Sequence, residues 1–169
     1  MTDQYTTVDG ARIGILMGSV SDWPTMKLAA DTLAELGIAC ECNVISAHRA
    51  PKRLEHYCST AGGRGLKVLI CAAGGAAHLA GVAASMTHLP VLACPMKASA
   101  LDGLDSLLSM VQMPKGVPVA TFAIGKPGAV NAALFAASIL GLSDEKIAGA
   151  WRDYRAAQSA AVHELPQDE

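Results

Sequence analysis

Ser46-Ala47-His48-Arg49 is the stretch of this sequence best suited to moving a proton beside a bound anion. Imidazole titrates near neutrality, so one ring can act as acid and as base, and a neighbouring guanidinium offers two parallel charge-assisted donors. A second stretch, Gly18-Ser19-Val20-Ser21-Asp22, joins a freely turning residue to two hydroxyls and runs into Trp23-Pro24. Pro24 fits the first turn of a helix, and hydroxyls before a helix N-terminus suit a phosphate. The same residues read equally as a turn closed by an N-cap, and without GxxxxGK[ST] they do not form an ATP-hydrolysing loop. A third stretch, Gly74-Gly75-Ala76-Ala77-His78-Leu79, presents backbone N–H groups just ahead of a helix, apt for a carboxylate or an oxyanion. His78 reads either as a catalytic group or as a satisfied structural ring. His56, His88 and His163 lie in no motif and read as structural.

These stretches need elements to bring them together. Short apolar, β-branched runs recur at Ile13–Met17, Cys40–Ile45, Val68–Cys71, Val91–Cys94 and Val117–Ile124, with helical signals between them. Asp22 can cap a helix that sets Met26, Ala29, Leu33 and Leu36 on one face and stops at Gly37. Pro51 opens a second helix that ends at Gly62-Gly63. Ala76–His88 and Gly128–Leu140 read as closely packed, Ala-rich helices. Alternating strands and helices predict a doubly wound α/β domain with a parallel, five-stranded sheet covered on both faces. In such sheets ligands bind beyond the carboxyl ends of the strands. All three chemical stretches follow predicted strands, as do Pro95-Met96-Lys97-Ala98-Ser99 and Gly125-Lys126-Pro127-Gly128, so a pocket is expected at that edge. The expected organisation is an N-terminal tail over residues 1–11, a single domain over 12–143 and, over 144–169, a C-terminal helix and tail. That helix, with Ile147, Trp151 and Tyr154, is expected to pack on the domain or on a neighbour. The final ELPQDE is expected to fray.

Composition excludes several functions. With 13 Lys+Arg against 15 Asp+Glu and few aromatics, the chain has neither the basic surface nor the stacking platforms of a nucleic-acid binder. Hydrophobic residues reach 51%, too many for a disordered chain. Val68–Met96 contains no charged side chain, but its prolines, glycines and histidines would leave backbone groups unsatisfied in lipid, so no membrane span is expected. The N-terminus lacks a signal-peptide pattern, and a cytoplasmic protein is expected. The five cysteines form no CxxC pair and no metal-ligand spacing, so reduced thiols and no metal site are predicted. A surface so short of charge also points to coverage by other subunits.

Six strings, GSVSDWPTM (18–26), SAHRAP (46–51), GGAAHL (74–79), SLLSMVQMPKGVPVAT (106–121), AIGKPGA (123–129) and NAALFAASIL (131–140), resemble the class I N5-carboxyaminoimidazole ribonucleotide mutases of purine biosynthesis. The likeness spans residues 12–155 in order and at family spacing. It implies a flavodoxin-like three-layer domain, assembled as a homo-octamer. It also implies conversion of N5-carboxyaminoimidazole ribonucleotide to 4-carboxy-5-aminoimidazole ribonucleotide without metal, ATP or other cofactor. By motif, Ser19, Ser21, Asp22, Ser46 and Arg49 would bind the substrate at its ribose phosphate end, and His48 would be the general acid and base. Gly74, Gly75, Ala76, His78 and Leu79 would hold the carboxylate and the released carbon dioxide. The related animal-type carboxylases look like SAHK and GRSNALSG in the second and third loops, whereas this chain reads SAHR and GGAAHLAG, which favours the mutase class.

Four positions depart from the usual family pattern: Ala72 and Ala93 stand for Gly, Ala80 for Pro, and Pro127 for Ala. A Gly-to-Ala change is harmless at negative φ and strained at positive φ, so position 72 bears on how well the third loop retains carbon dioxide. Loss of Pro at position 80 is expected to loosen that loop slightly. A flavin-binding module on the same fold would need aromatic rings at the site, where only Trp23 is near. A phosphoacceptor receiver domain would need an acidic pair after the first strand, and none is present.

Overall fold

A computed structural model of the chain describes residues 5–98 and 100–161. Its order is β1 (Ile13–Met17), α1 (Trp23–Glu35), β2 (Cys40–Val44), α2 (Pro51–Ala61), β3 (Val68–Ala73), α3 (Leu79–Ser85), β4 (Val91–Pro95), α4 (Leu104–Val111), β5 (Ala120–Thr121), α5 (Lys126–Gly141) and α6 (Glu145–Ala160). The five strands pair in parallel in the order β2-β1-β3-β4-β5, the flavodoxin-like arrangement. The central strands β1, β3 and β4 are buried along their whole length, as expected of a sheet covered on both faces. Register aligns their exits: Met17 lies opposite Val44 on one side and Ala72 on the other, and Ala73 opposite Pro95. The loops after β1, β2, β3 and β4 therefore leave the sheet at one level.

Two apolar layers close the sheet. One joins Met26, Ala29 and Leu33 of α1 to Ala129, Ala132, Ala133, Ala136 and Ala137 of α5 over the sheet residues Ile13, Ile15 and Ile70. The small side chains let these helices approach closely, which explains why α5 is so rich in alanine. The other layer holds Leu54, Tyr57 and Cys58 of α2 with Leu79, Ala80 and Ala83 of α3. Tyr57 lies so close to β1 that a Cβ at Gly14 would fall on its hydroxyl, so Gly14 is required by space inside a central strand. At the far end of the chain, Asp144 caps α6, accepting from Ile147 N at 3.3 Å and from Arg12 Nη1 at 2.6 Å. This ties the last helix to the residue that precedes β1.

Strand β2 has an inverted pattern. Cys40 and Cys42 are half-buried, while Glu41 and Asn43 are buried on the α2 side. The polar pair is satisfied by partners distant in sequence. Arg64 Nη2 donates to Glu41 Oε1 at 2.9 Å, and its guanidinium lies over the rings of Tyr5 and Tyr57. The Asn43 amide exchanges two bonds with the Thr6 backbone, at 2.7 and 2.8 Å. Residues 5–8 of the expected N-terminal tail are thus anchored on the domain rather than trailing from it.

Several boundaries differ from the sequence expectation. The third helix is confined to Leu79–Ser85, because Met86 and the Pro90 turn end it before His88. The fifth strand shrinks to Ala120–Thr121 at the sheet edge after Pro118, although Phe122 N and Gly125 N still donate to Ala93 O and Pro95 O. Helix α4 was not expected from the sequence. Ala72 and Ala93 lie inside β3 and β4, and neither has positive φ, so neither alanine is strained. Pro127 occupies the first turn of α5, where proline is favoured. The C-terminal ELPQDE and His163 lie outside the described residues. No helix among the described residues is long and apolar enough to cross a membrane.

Candidate active site

Beyond Met17, Gly18 N still donates to Ala72 O at 2.9 Å, and the chain then turns. Ser19 is extended, its hydroxyl accepts from Ser21 N at 3.3 Å, and its own N–H donates to Asp22 Oδ2 at 3.0 Å. This reciprocal capping box starts a single 3-10 turn that runs into α1. Ser21 Oγ also donates to Ser19 Oγ at 2.9 Å, so the two hydroxyls sit side by side. Asp22 is almost fully buried. Burial pushes its carboxyl above the ordinary value, while the backbone N–H groups of Ser19 and Gly18 pull the other way.

The second loop leaves β2 with Ile45 N bonded to Met17 O, and Ala50 N closes its turn onto Ser46 O. Arg49 reaches back across this turn: its N and Nε donate to Ser46 Oγ at 3.3 Å each, and Nη2 donates to Gly18 O at 3.4 Å. These are long bonds, so the guanidinium is aimed at the first loop with most of its donor capacity free for an anion. His48 projects from the same turn toward the third loop. There His48 Nε2 lies 2.9 Å from His78 Nδ1, and the rings meet edge to face with centroids 5.0 Å apart.

The third loop turns at Gly75, whose φ of +67° favours glycine although nothing crowds the Cβ position. It ends with His78 at the N-cap of α3. Together the loops enclose a cavity of about 520 Å³, within the range of small-molecule sites. Its lining includes Ser19, Ser21, Asp22, Ser46, His48, Arg49, Gly74, Ala76 and Leu79. Gly75 and His78 adjoin it without lining it. The lining also takes in Met96 and Lys97 from the loop after β4, which the sequence offered only as a strand exit. Lys97 pairs with Asp102 at 3.0 Å, both side chains in solvent. The Gly125–Gly128 loop, expected at this edge, contributes nothing to the lining. A second cavity of about 790 Å³ opens beside the amino ends of β4 and β5. Although larger, it is mostly apolar, with only Ser85, Thr87 and His88 as polar side chains, and it lacks converging groups for chemistry.

No group of three or more His, Cys, Asp or Glu among the described residues could hold a metal. The cysteines are free. Burial raises the thiols of Cys58 and Cys94 to about 12, which makes both inert.

The AIR carboxylase family model matches residues 12–161. The chain is 57% identical over 151 residues to the N5-carboxyaminoimidazole ribonucleotide mutase of Vibrio vulnificus, covering 89% of this chain and 94% of that protein. It is 58% identical over 136 residues to the Bacillus subtilis protein of the same name, covering 80% and 84%. The solved structure of Treponema denticola PurE superposes with a TM-score of 0.81 at 28% identity, covering 89% of this chain and 92% of that one. By sequence along most of its length and by fold, this chain belongs to the AIR carboxylase family.

Proposed function

We propose that this chain is an N5-carboxyaminoimidazole ribonucleotide mutase, an isomerase of purine biosynthesis. The observation that carries this reading is the joining, in one cavity, of an anion-binding end (Ser19, Ser46 and Arg49) with His48, whose ring is held from outside the lining by His78 of the third loop. A ribonucleotide placed with its phosphate at Arg49 and the α1 end directs its base toward His48. Asp22 is an acceptor already bonded to the Ser19 N–H, which suits it to ribose hydroxyls better than to the phosphate.

The reaction then needs one proton shuttle and one gas pocket. His48 gives a proton to the exocyclic nitrogen as the N–C bond breaks. The bonding electrons stay on nitrogen, and carbon dioxide leaves. The Gly74–Ala76 loop keeps that molecule beside the ring. C4 of the aminoimidazole attacks it to form the new C–C bond, and the now neutral His48 removes the C4 proton. Protons balance and no cofactor enters. Retention of carbon dioxide in a confined space spares the second step the loss of a reactant to solvent. Assembly as an octamer in the cytoplasm belongs to the same reading. The exposed stripe Leu101, Leu104, Leu108 and Val111 on and before α4 supports contact with further copies, while the number of subunits and the compartment rest on the family resemblance. Sedimentation of the purified protein tests the assembly against a monomeric mass.

The deciding experiment supplies fresh N5-carboxyaminoimidazole ribonucleotide, and separately aminoimidazole ribonucleotide with bicarbonate, both without ATP or metal. Rapid C4-carboxylated product from the first alone is the expected result. Efficient product from the second would reassign the chain as a direct carboxylase, and none from either would remove the enzymatic reading.

A further inference from the structure

The third loop is held in place by a residue outside the cavity lining. Ser106, in the first turn of α4, is completely buried and is one of few polar side chains in the interior. Its hydroxyl accepts from Gly75 N at 3.0 Å and donates to Met96 O at 2.7 Å. Met96 N in turn donates to Ala73 O at 2.9 Å, so this one oxygen closes a ring through the end of β3, the third loop and the end of β4. Ser109, one turn later on α4, lies 3.4 Å from Gly75 O while donating mainly to Asp105 O at 2.7 Å. The amide that Ser106 grips belongs to the residue in the left-handed conformation, and that conformation directs Ala76 into the cavity and His78 onto His48.

We propose that Ser106 is a positioning residue for the reaction: through Gly75 it sets the wall that retains carbon dioxide, and so governs how often decarboxylation is followed by recarboxylation. This rests on the mutase reading above. Removing the hydroxyl leaves the buried Met96 carbonyl without its partner and the half-buried Gly75 N–H untethered, and the cheapest relaxation is movement of the glycine loop away from α4. Such movement widens the pocket on the carboxyl side and leaves Arg49, Ser46 and Ser19 where they are.

The test is a single-turnover partition measurement on Ser106→Ala, with the uncatalysed breakdown of the substrate subtracted. Wild-type enzyme should deliver mostly C4-carboxylated product. Ser106→Ala should raise the ratio of free aminoimidazole ribonucleotide to product by about five- to tenfold, the factor associated with one buried hydrogen bond, while the affinity for aminoimidazole ribonucleotide itself stays close to wild type. Amide exchange at Gly75 should quicken in the same variant, a readout independent of turnover. A purely structural serine would lower the melting temperature and total activity with the partition unchanged, and a folded Ser106→Ala with wild-type partition overturns the proposal. If Ser106→Ala does not fold, Ser106→Cys fills nearly the same volume with a poorer donor and acceptor, and wild-type partition in that variant overturns it equally. Wild-type protein that makes no C4-carboxylated product would instead defeat the mutase reading.

Discussion

His48 Nε2 and His78 Nδ1 stand 2.9 Å apart, joining loops that follow β2 and β3, strands separated in the sheet by β1. One ring must donate and the other accept, so the contact requires at least one neutral imidazole. It fixes the tautomer of each ring through the other, as second partners of catalytic histidines do. Doubly protonated rings would repel, and the bond would open.

On the proposed mechanism, replacement of His48 should be severe. His48→Asn should lower turnover by about a hundredfold to ten-thousandfold with nucleotide binding largely intact. Titration calorimetry with aminoimidazole ribonucleotide alongside steady-state rates checks both halves. His78→Phe, which keeps a ring but no Nδ1, should lower turnover by only about tenfold. Equal losses in the two variants would show that His78 does more than orient its partner.

Arg49→Ala should raise KM by about tenfold to a hundredfold, the factor for a lost charge-assisted bond, with a smaller effect on kcat. A dephosphorylated analogue should bind the wild type and the variant with nearly the same weak affinity. An equal loss for that analogue would place Arg49 away from the phosphate.

Gly14→Ala should destabilise the domain by about 1–3 kcal/mol, because the new methyl meets Tyr57, which is fully buried and cannot swing away. Adding Tyr57→Phe should recover part of the loss, and only part, since Leu69 Cδ2 also lies 2.9 Å from the added carbon. Denaturant titrations of both single variants and the double variant measure the coupling directly.

The Arg12 bond, aided by the Ile147 N–H, holds the Asp144 carboxyl below its ordinary 3.8. A depressed acid contributes stability that is fully present above the ordinary carboxylate value and is lost as pH falls through the folded-state value. Asp144→Asn should therefore melt earlier than wild type near neutral pH, and the two curves should converge in strong acid. A gap that stays constant down to that range would show that the charge of Asp144 is not the source of the difference. The pair is about a third exposed, so the difference is expected to be small and reduced by salt.

The layers of the fold were legible because β1, β3 and β4 are short apolar runs bounded by turn residues, and because the strand exits carry unusual concentrations of hydroxyls and glycines. The meeting of His48 with His78 was not, since pattern places both loops at one edge without fixing which side chains touch. Helix α4 hides its signal: Leu104, Leu108 and Val111 face outward, while Ser106 and Met110 point into the core. Read by hydrophobicity, that helix would be turned inside out, and the serine that grips Gly75 would be placed on the surface. Ala72 carries no strain, because the residue still belongs to β3 and the left-handed position falls three residues later, at Gly75.

The inverted face of β2 has a consequence for how the chain finds its alignment. On a strand buried by leucines and valines, a slip of one residue exchanges one greasy face for the other, and only packing detail objects. Here the same slip would carry Glu41 and Asn43 onto the α1 side, away from Arg64 and Thr6, and thrust two thiols into a polar cage. A stranded carboxylate and amide penalise that mistake far more than a misplaced methyl would. The outermost strand is thus proofread by charge and hydrogen bonding. Because the loop that bears His48 follows this strand, the placement of that side chain begins on the α2 face of the sheet, in an arginine packed against two tyrosine rings.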